Sequence, residues 1–379
     1  MASKFMGKED FDYSKIVNYK DFLDPFTILA MTKFAPTLNN PKERVLEESL
    51  GETAQVFDLK EGQDHYLAFN AEILGTKVAV AVEMSRRDPK NMLRYFSTTG
   101  IDTANMSLND LLGVGARPSA YQLIMCFGDD EFISDPEKNE ALLEGYRIAA
   151  DENKVAITGG ETGMVKGIVV PGMADLMGAS FGMISPKSRF CHGARVQPGN
   201  ILYGLLTPGV NANGISLIRK IADHSRLGYF QELPSGITFG EAVLKPTPSY
   251  SPAVQAMFDA GVPITYLQPI TGHGFKKIAR ARKDLTYIIT KLPERPEVFD
   301  YIHKRSNNSD KQMLENYNNG VGFVVYTSRK DSRIPEIAKQ NGSEAMELGY
   351  VDEGPRRVKV RTDRFNVTFW KRDIVGKAA

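Results

Sequence analysis

Runs of β-forming residues and stretches with helical spacing alternate along most of the chain. In "YLAFNAEI" and "KVAVAVEM", β-rich segments flank a turn at Gly75, which predicts two strands. Met106, Leu108, Leu111 and Leu112 recur at helical spacing in "GIDTANMSLNDLLGVGARP", which ends at glycines and Pro118. "YQLIMCF" predicts a buried strand. "DPEKNEALLEGYRIAADEN" predicts a helix with Asp135 as N-cap and Pro136 at its first position. "KVAITGG" and "LMGASFGMI" supply two more strands.

The polar, basic, turn-rich stretch "SPKSRFCHGARVQPGN" then interrupts the pattern, and the alternation restarts. Strands are predicted at "ILYGLLT", "LTYIIT" and "VGFVVYT". Helices are predicted at "NGISLIRKIADHS", from near Pro252, at "FKKIARAR" and at "EVFDYIHKR". We therefore expect an α/β (α+β) fold of two domains, residues 1–186 and 187–355, facing each other across a cleft. Clefts of this kind are preferred ligand sites. Residues 356–379 form a basic C-terminal extension, read as solvated or packed.

Composition narrows the class. The 379 residues are 42% hydrophobic and 25% charged, the mixture of a globular protein. A formal net charge of +1 gives no global case for nucleic acid or an anionic membrane. Cys126 and Cys191 cannot build a disulfide framework, and no Cys/His cluster has zinc-ligand spacing. The N-terminal "MASKFMGKEDFDYSK" lacks the apolar core of a signal peptide, so the expected location is the cytoplasm.

Candidate chemistry gathers at glycine turns. "AEILGTK" offers Glu72, Gly75, Thr76 and Lys77: backbone N–H groups, a hydroxyl and an ammonium for phosphate oxygens. It is not a Walker A loop, and a plain hairpin turn with a solvated lysine fits it equally well. Asp102, Asn105 and Asn109 share one helix face, with Asp110 just off it. "ITGGETG" places Gly159 and Gly160 before Glu161 and Thr162. Mg²⁺ takes oxygen ligands, typically one or two carboxylates completed by water and phosphate, and Glu72, Asp102, Asp110 and Glu161 suit that role. A capped helix with an exposed polar face is the alternative. The second half repeats the glycine turns without the acids. Asn211, Asn213 and Gly214 open a helix, a natural phosphate seat. Thr271, Gly272, His273 and Gly274 precede another, and Asn318 precedes a strand. Together these turns read as one divided site.

The segments "MSLNDLLGVGARP", "ITGGETG", "VVPG", "NANGISLIRKI", "PITGHGF" and "NNGVGF" resemble, in order and spacing, the aminoimidazole ribonucleotide synthetase (phosphoribosylformylglycinamidine cyclo-ligase) family of purine biosynthesis, over roughly residues 45–355. The resemblance implies a homodimer paired through the N-terminal domains, with ATP and Mg²⁺ held mainly by the first domain. The activity it implies is ATP-dependent cyclisation of formylglycinamidine ribonucleotide to aminoimidazole ribonucleotide, releasing ADP and phosphate. Lys77, Asp110 and Asn211 stand where catalysis is expected. Asn109, Gly159, Gly160 and Thr162 join the nucleotide contacts. Asn213, Gly214, Thr271, Gly272, His273, Gly274 and Asn318 lie on the substrate side. Four positions depart from the family pattern: Glu72 replaces aspartate, Ile73 glycine, Asn211 histidine and His273 glycine. They leave two alternatives open, a related ATP-dependent enzyme acting on another amide or phosphorylated substrate, and a non-catalytic nucleotide-binding paralogue.

Overall fold

A computed structural model describes residues 33–34, 37–38, 44–59 and 62–375. The N-terminal domain runs β1 (Arg44–Val45), β2 (Gln55–Asp58), β3 (Tyr66–Ile73), α1 (Lys77–Arg87), α2 (Met92–Gly113), β4 (Arg117–Phe127), α3 (Asp130–Ile133), α4 (Pro136–Asn153), β5 (Ala156–Met164) and β6 (Ala174–Ile184). Its six-stranded sheet has the order β1-β2-β3-β6-β4-β5. All neighbours are antiparallel except β4 and β5. Burial alternates strictly along β6, as expected of a strand with one covered face. Helix α2 crosses β3 and β6 on that face and packs along α4. The other face leaves Phe69, Ile73 and Ile124 exposed.

One expected strand is a helix. "KVAVAVEM" lies in α1, because every residue from Lys77 to Val82 is buried. A segment apolar on all sides has lost the periodicity that separates helix from strand. Asp135 does cap α4, its side chain accepting from Lys138 N at 3.1 Å.

The second domain contains β7 (Ile201–Leu206), α5 (Ile215–Asp223), α6 (Phe239–Val243), α7 (Ser251–Asp259), β8 (Ile264–Pro269), a 3₁₀ turn (Gly274–Ala279), β9 (Leu285–Ile289), α8 (Glu297–Ser306), α9 (Asp310–Asn316), β10 (Val321–Thr327), α10 (Ile334–Gln340), β11 (Ala345–Glu353), β12 (Arg357–Arg361), β13 (Asn366–Trp370) and α11 (Lys371–Val375). Its sheet order is β13-β12-β9-β11-β7-β10-β8. The basic tail is thus part of this domain as far as Val375. β12 pairs in parallel with β9, β13 closes the edge, and Val358, Val360 and Phe369 are buried beneath them. Alternating apolar residues in "RVKVR" and "NVTFW" carry that packing.

A single hydrophobic cluster spans both domains. It joins Leu74, Val80, Leu108 and Leu142 of the first to Ile215, Ile218, Phe239 and Phe299 of the second.

Candidate active site between the domains

Helix α2 presents its polar stripe to the second domain. Asp102, Asn105 and Asn109 are all buried, and each grips the loop between α6 and α7. Asp102 Oδ1 accepts from Thr247 N at 2.7 Å and Thr247 Oγ1 at 2.5 Å. Asn105 Nδ2 donates to Thr247 O at 2.8 Å. Asn109 donates to Pro248 O at 2.9 Å and accepts from Tyr250 N at 3.1 Å. A backbone segment without regular structure needs such partners when it is buried.

The same clamp holds Lys77. Its ammonium lies 2.5 Å from Asp102 Oδ2, both side chains fully buried, and donates to Lys245 O at 3.1 Å. Burial pulls the Lys77 pKa down and the Asp102 charge opposes that shift. The expectation of a lysine reaching phosphate and an aspartate reaching metal is therefore corrected for this pair. Both groups, and Asn109 with them, are occupied in joining the domains.

Two turns further along α2 the arrangement changes. Asp110, 8% exposed, lies against Glu72 at the end of β3. Asp110 Oδ1 is buried without a hydrogen-bond partner among the described residues. Its pKa is pushed up to about 8, first by burial and then by the Glu72 charge, with Lys277 and Arg280 pulling the other way. Lys277 is pushed down to about 8 by burial and by Arg280, against the attraction of Asp110 and Glu72. Both cations come from the second domain, on and just after the 3₁₀ turn. Paired carboxylates with an orphaned oxygen are suited to a hard cation such as Mg²⁺. Beside them Gly75 adopts φ +69°, Thr76 is exposed, and the first turn of α1 begins.

The substrate-side turns do converge. Asn211, at φ +57°, accepts from Thr207 Oγ1 at 2.6 Å. Gly214 heads α5, and Tyr317 OH donates to its carbonyl at 3.2 Å. A Cβ on Gly272 would stand 3.6 Å from Asn213 Oδ1. Asn318 Nδ2 donates to Gly209 O at 3.0 Å, so it braces the loops as well as facing them. His273 sits exposed at φ +68° ahead of Gly274. Thr271 Oγ1 accepts a hydrogen bond from Lys277, which links this group of loops to the acid pair.

Glu161 and Thr162 lie elsewhere. The "GGETG" stretch continues β5 as an exposed edge strand. Gly160, at φ +155°, leaves no room for a side chain, since a Cβ would collide with Leu123 O, while Gly159 faces open space. Glu161 registers through Ile124 and Met177 with Ile73. At about 4.8 Å per strand, three steps put it roughly 14 Å from β3. Its carboxylate accepts from Thr162 N at 3.1 Å. Within one chain the four expected acids are not gathered, and no cluster of three or more His, Cys, Asp or Glu side chains positioned for a metal occurs among the described residues.

Sequence reading missed Thr247, Lys277 and Arg280. "KKIARAR" after a glycine turn looks like an ordinary basic surface helix, and nothing local marks "KPTPSY" as the object of a clamp.

The fold and this interdomain arrangement define the class: the chain belongs to the AIR synthase related family. The N-terminal domain model of that family matches residues 51–183 and the C-terminal domain model residues 197–361. Among curated relatives, the phosphoribosylformylglycinamidine cyclo-ligase of Methanothermobacter thermautotrophicus is 31% identical over 327 residues, 83% of this chain and 91% of the relative. The enzyme of the same name from Methanobrevibacter smithii is 32% identical over 279 residues, 73% of this chain and 77% of the relative. Among solved structures, a HypE–HypF complex aligns with TM-score 0.58 at 16% identity, covering 84% of this chain and 92% of that one. AaThiL complexed with AMPPCP and TMP aligns with TM-score 0.57 at 14% identity, covering 90% and 94%. Both show the shared fold. Among the described residues no helix is long and apolar enough to cross a membrane.

Proposed function

We propose that this protein closes the imidazole ring of formylglycinamidine ribonucleotide, using ATP to activate the amide oxygen and releasing aminoimidazole ribonucleotide, ADP and phosphate. The reading rests on the family membership and on relatives named for that ligase activity. One structural observation carries it: a carboxylate pair, the buried Asp110 with an oxygen lacking a hydrogen-bond partner and the half-buried Glu72 beside it, with Lys277 of the second domain acting on both.

Glu72 and Asp110 would hold the Mg²⁺ that accompanies the nucleotide. Bound there, the ion supplies charge neutralisation to the phosphoryl oxygens. Gly75, Thr76 and the first N–H groups of α1 would bind phosphate beside it. The loops carrying Asn211, Asn213, Gly214, Thr271, Gly272 and His273 would orient the ribonucleotide, with the Asn211 amide donating to substrate. Positioning and electrostatics carry such phosphoryl transfer without a covalent nucleophile. Two copies would pair through the open sheet face that exposes Phe69, Ile73 and Ile124, a homodimer consistent with an apolar patch of that kind.

The test is turnover of formylglycinamidine ribonucleotide with Mg–ATP, with the imidazole product and ADP followed together. Equal formation of both is expected. ADP without the imidazole would overturn the assignment in favour of another acceptor.

A further inference from the structure

Thr207 and Asn211 lie at the two ends of the bend that follows β7, and both are buried. The backbone N–H of Thr207 donates to Gly320 O at 3.0 Å, and its β-branched side chain is stiff about χ1. Its hydroxyl donates to Asn211 Oδ1 at 2.6 Å, a distance on the short side for such a bond. Gly322 clears the space behind the pair, since a Cβ there would stand 1.9 Å from Tyr250 OH and 3.2 Å from Thr207 Cβ. Tyr250 is in turn held at its N–H by Asn109 of α2. The Asn211 nitrogen differs from its oxygen. It has no hydrogen-bond partner among the described residues, yet it is not among the polar atoms sealed from solvent.

We infer that Thr207 is a positioning residue that fixes which way the Asn211 amide faces, so that the turn presents N–H donors and reads an acceptor oxygen on the ligand. This deepens the proposed function and rests on its placing of the ribonucleotide at these loops. A carboxamide is a donor on one side and an acceptor on the other, and a half-turn about its terminal torsion exchanges the two. With Oδ1 committed to Thr207, that exchange breaks a buried hydrogen bond. A carbonyl or phosphate oxygen of the ligand is then matched, whereas a ligand N–H at the same point would meet another donor.

The first test needs no ligand. In full-length protein labelled with ¹⁵N at asparagine, the Asn211 side-chain resonances are those that Asn211→Ala removes. Their ¹⁵N–¹H nuclear Overhauser effect should be that of a rigid group in the parent and in Thr207→Ser, and of a mobile one in Thr207→Val. Thr207→Ala should behave as Thr207→Val does, so the result does not hang on the folding of one variant. Equal rigidity in the parent, Thr207→Val and Thr207→Ala overturns the inference. Turnover of formylglycinamidine ribonucleotide with Mg–ATP then tests the consequence. In Thr207→Val kcat/KM should fall about tenfold, the equivalent of one hydrogen bond, with Thr207→Ser near the parent. Adding Thr207→Val to Asn211→Ala should cost nothing further. A raised KM alone assigns the bound oxygen to the phosphate of the ribonucleotide, and a lowered kcat assigns it to the reacting amide. A residue that merely braces the bend would cost as much on the Asn211→Ala background as in the parent, and that result also overturns the inference. A parent protein that binds Mg–ATP but leaves the ribonucleotide unchanged refutes the proposed function instead, and the resonance test alone then decides the role of Thr207.

Discussion

Helix α2 carries two aspartates, Asp102 and Asp110, about 12 Å apart along its axis at 1.5 Å per residue; the first meets Lys77 of its own domain, and the second is influenced by Lys277 of the other. The first pair is closed. Lys77 and Asp102 form a fully buried ion pair at 2.5 Å, Thr247 donates to Asp102 Oδ1 and the ammonium donates to Lys245 O. The second is open. Asp110 has a like-charged neighbour, an orphaned oxygen and the charge of Lys277 acting on it. Similar residue types thus serve two ends. A direct buried ion pair makes a structural joint, and an acid pair without one leaves free energy available to a ligand.

The largest effect should come from the closed pair. Asp102→Ala leaves the Lys77 ammonium buried without its partner and should destabilise the protein by about 3–5 kcal/mol in urea denaturation. Replacing both residues by apolar ones should restore most of that loss. Next in size is Asn109→Ala, which deprives Pro248 O and Tyr250 N of their partners. Denaturation should register about 2 kcal/mol.

Asp110→Asn should act in the opposite direction, since it removes a buried like charge. The folded-state pKa of Asp110 is raised to about 8 from an ordinary value near 4. Its favourable contribution is therefore complete below pH ~4 and is lost as pH rises through about 8. The metal-free Asp110→Asn protein should gain about 1 kcal/mol over the parent near pH 8, less at pH 6, and should lose Mg–ATP binding. A midpoint difference that shrinks with rising pH would contradict the acid pair. The smallest effect belongs to Glu161→Gln on its exposed edge strand, within about 0.5 kcal/mol in stability. Comparing its Mg–ATP affinity with that of Glu72→Gln would show which carboxylate serves the nucleotide. We expect the larger loss at Glu72.

Local pattern revealed much of this. The alternation that predicts β3 fits Tyr66–Ile73, and the spacing that predicts α4 fits Pro136–Asn153 with its cap. Two domains and the sharing of one helix face by Asp102, Asn105 and Asn109 were legible too. What faces that stripe was not, because its partner loop lies some 140 residues away in sequence. Helix α1 was hidden because burial on every side removes amphipathic contrast. Lys277 was hidden because a lysine beside other basic residues has the same local sequence signature whether it faces water or a carboxylate.

The hydrophobic cluster shared by the two domains bears on how the chain matures. Ile215, Ile218, Phe239 and Phe299 complete a core begun by Leu74, Val80, Leu108 and Leu142. During synthesis the earlier residues emerge first, with the α2 stripe still lacking the backbone it will hold. An N-terminal half released early would expose both apolar surface and unsatisfied amides, a species prone to aggregation. A core shared in this way predicts that the halves melt as one cooperative unit, a single transition in scanning calorimetry of the full chain.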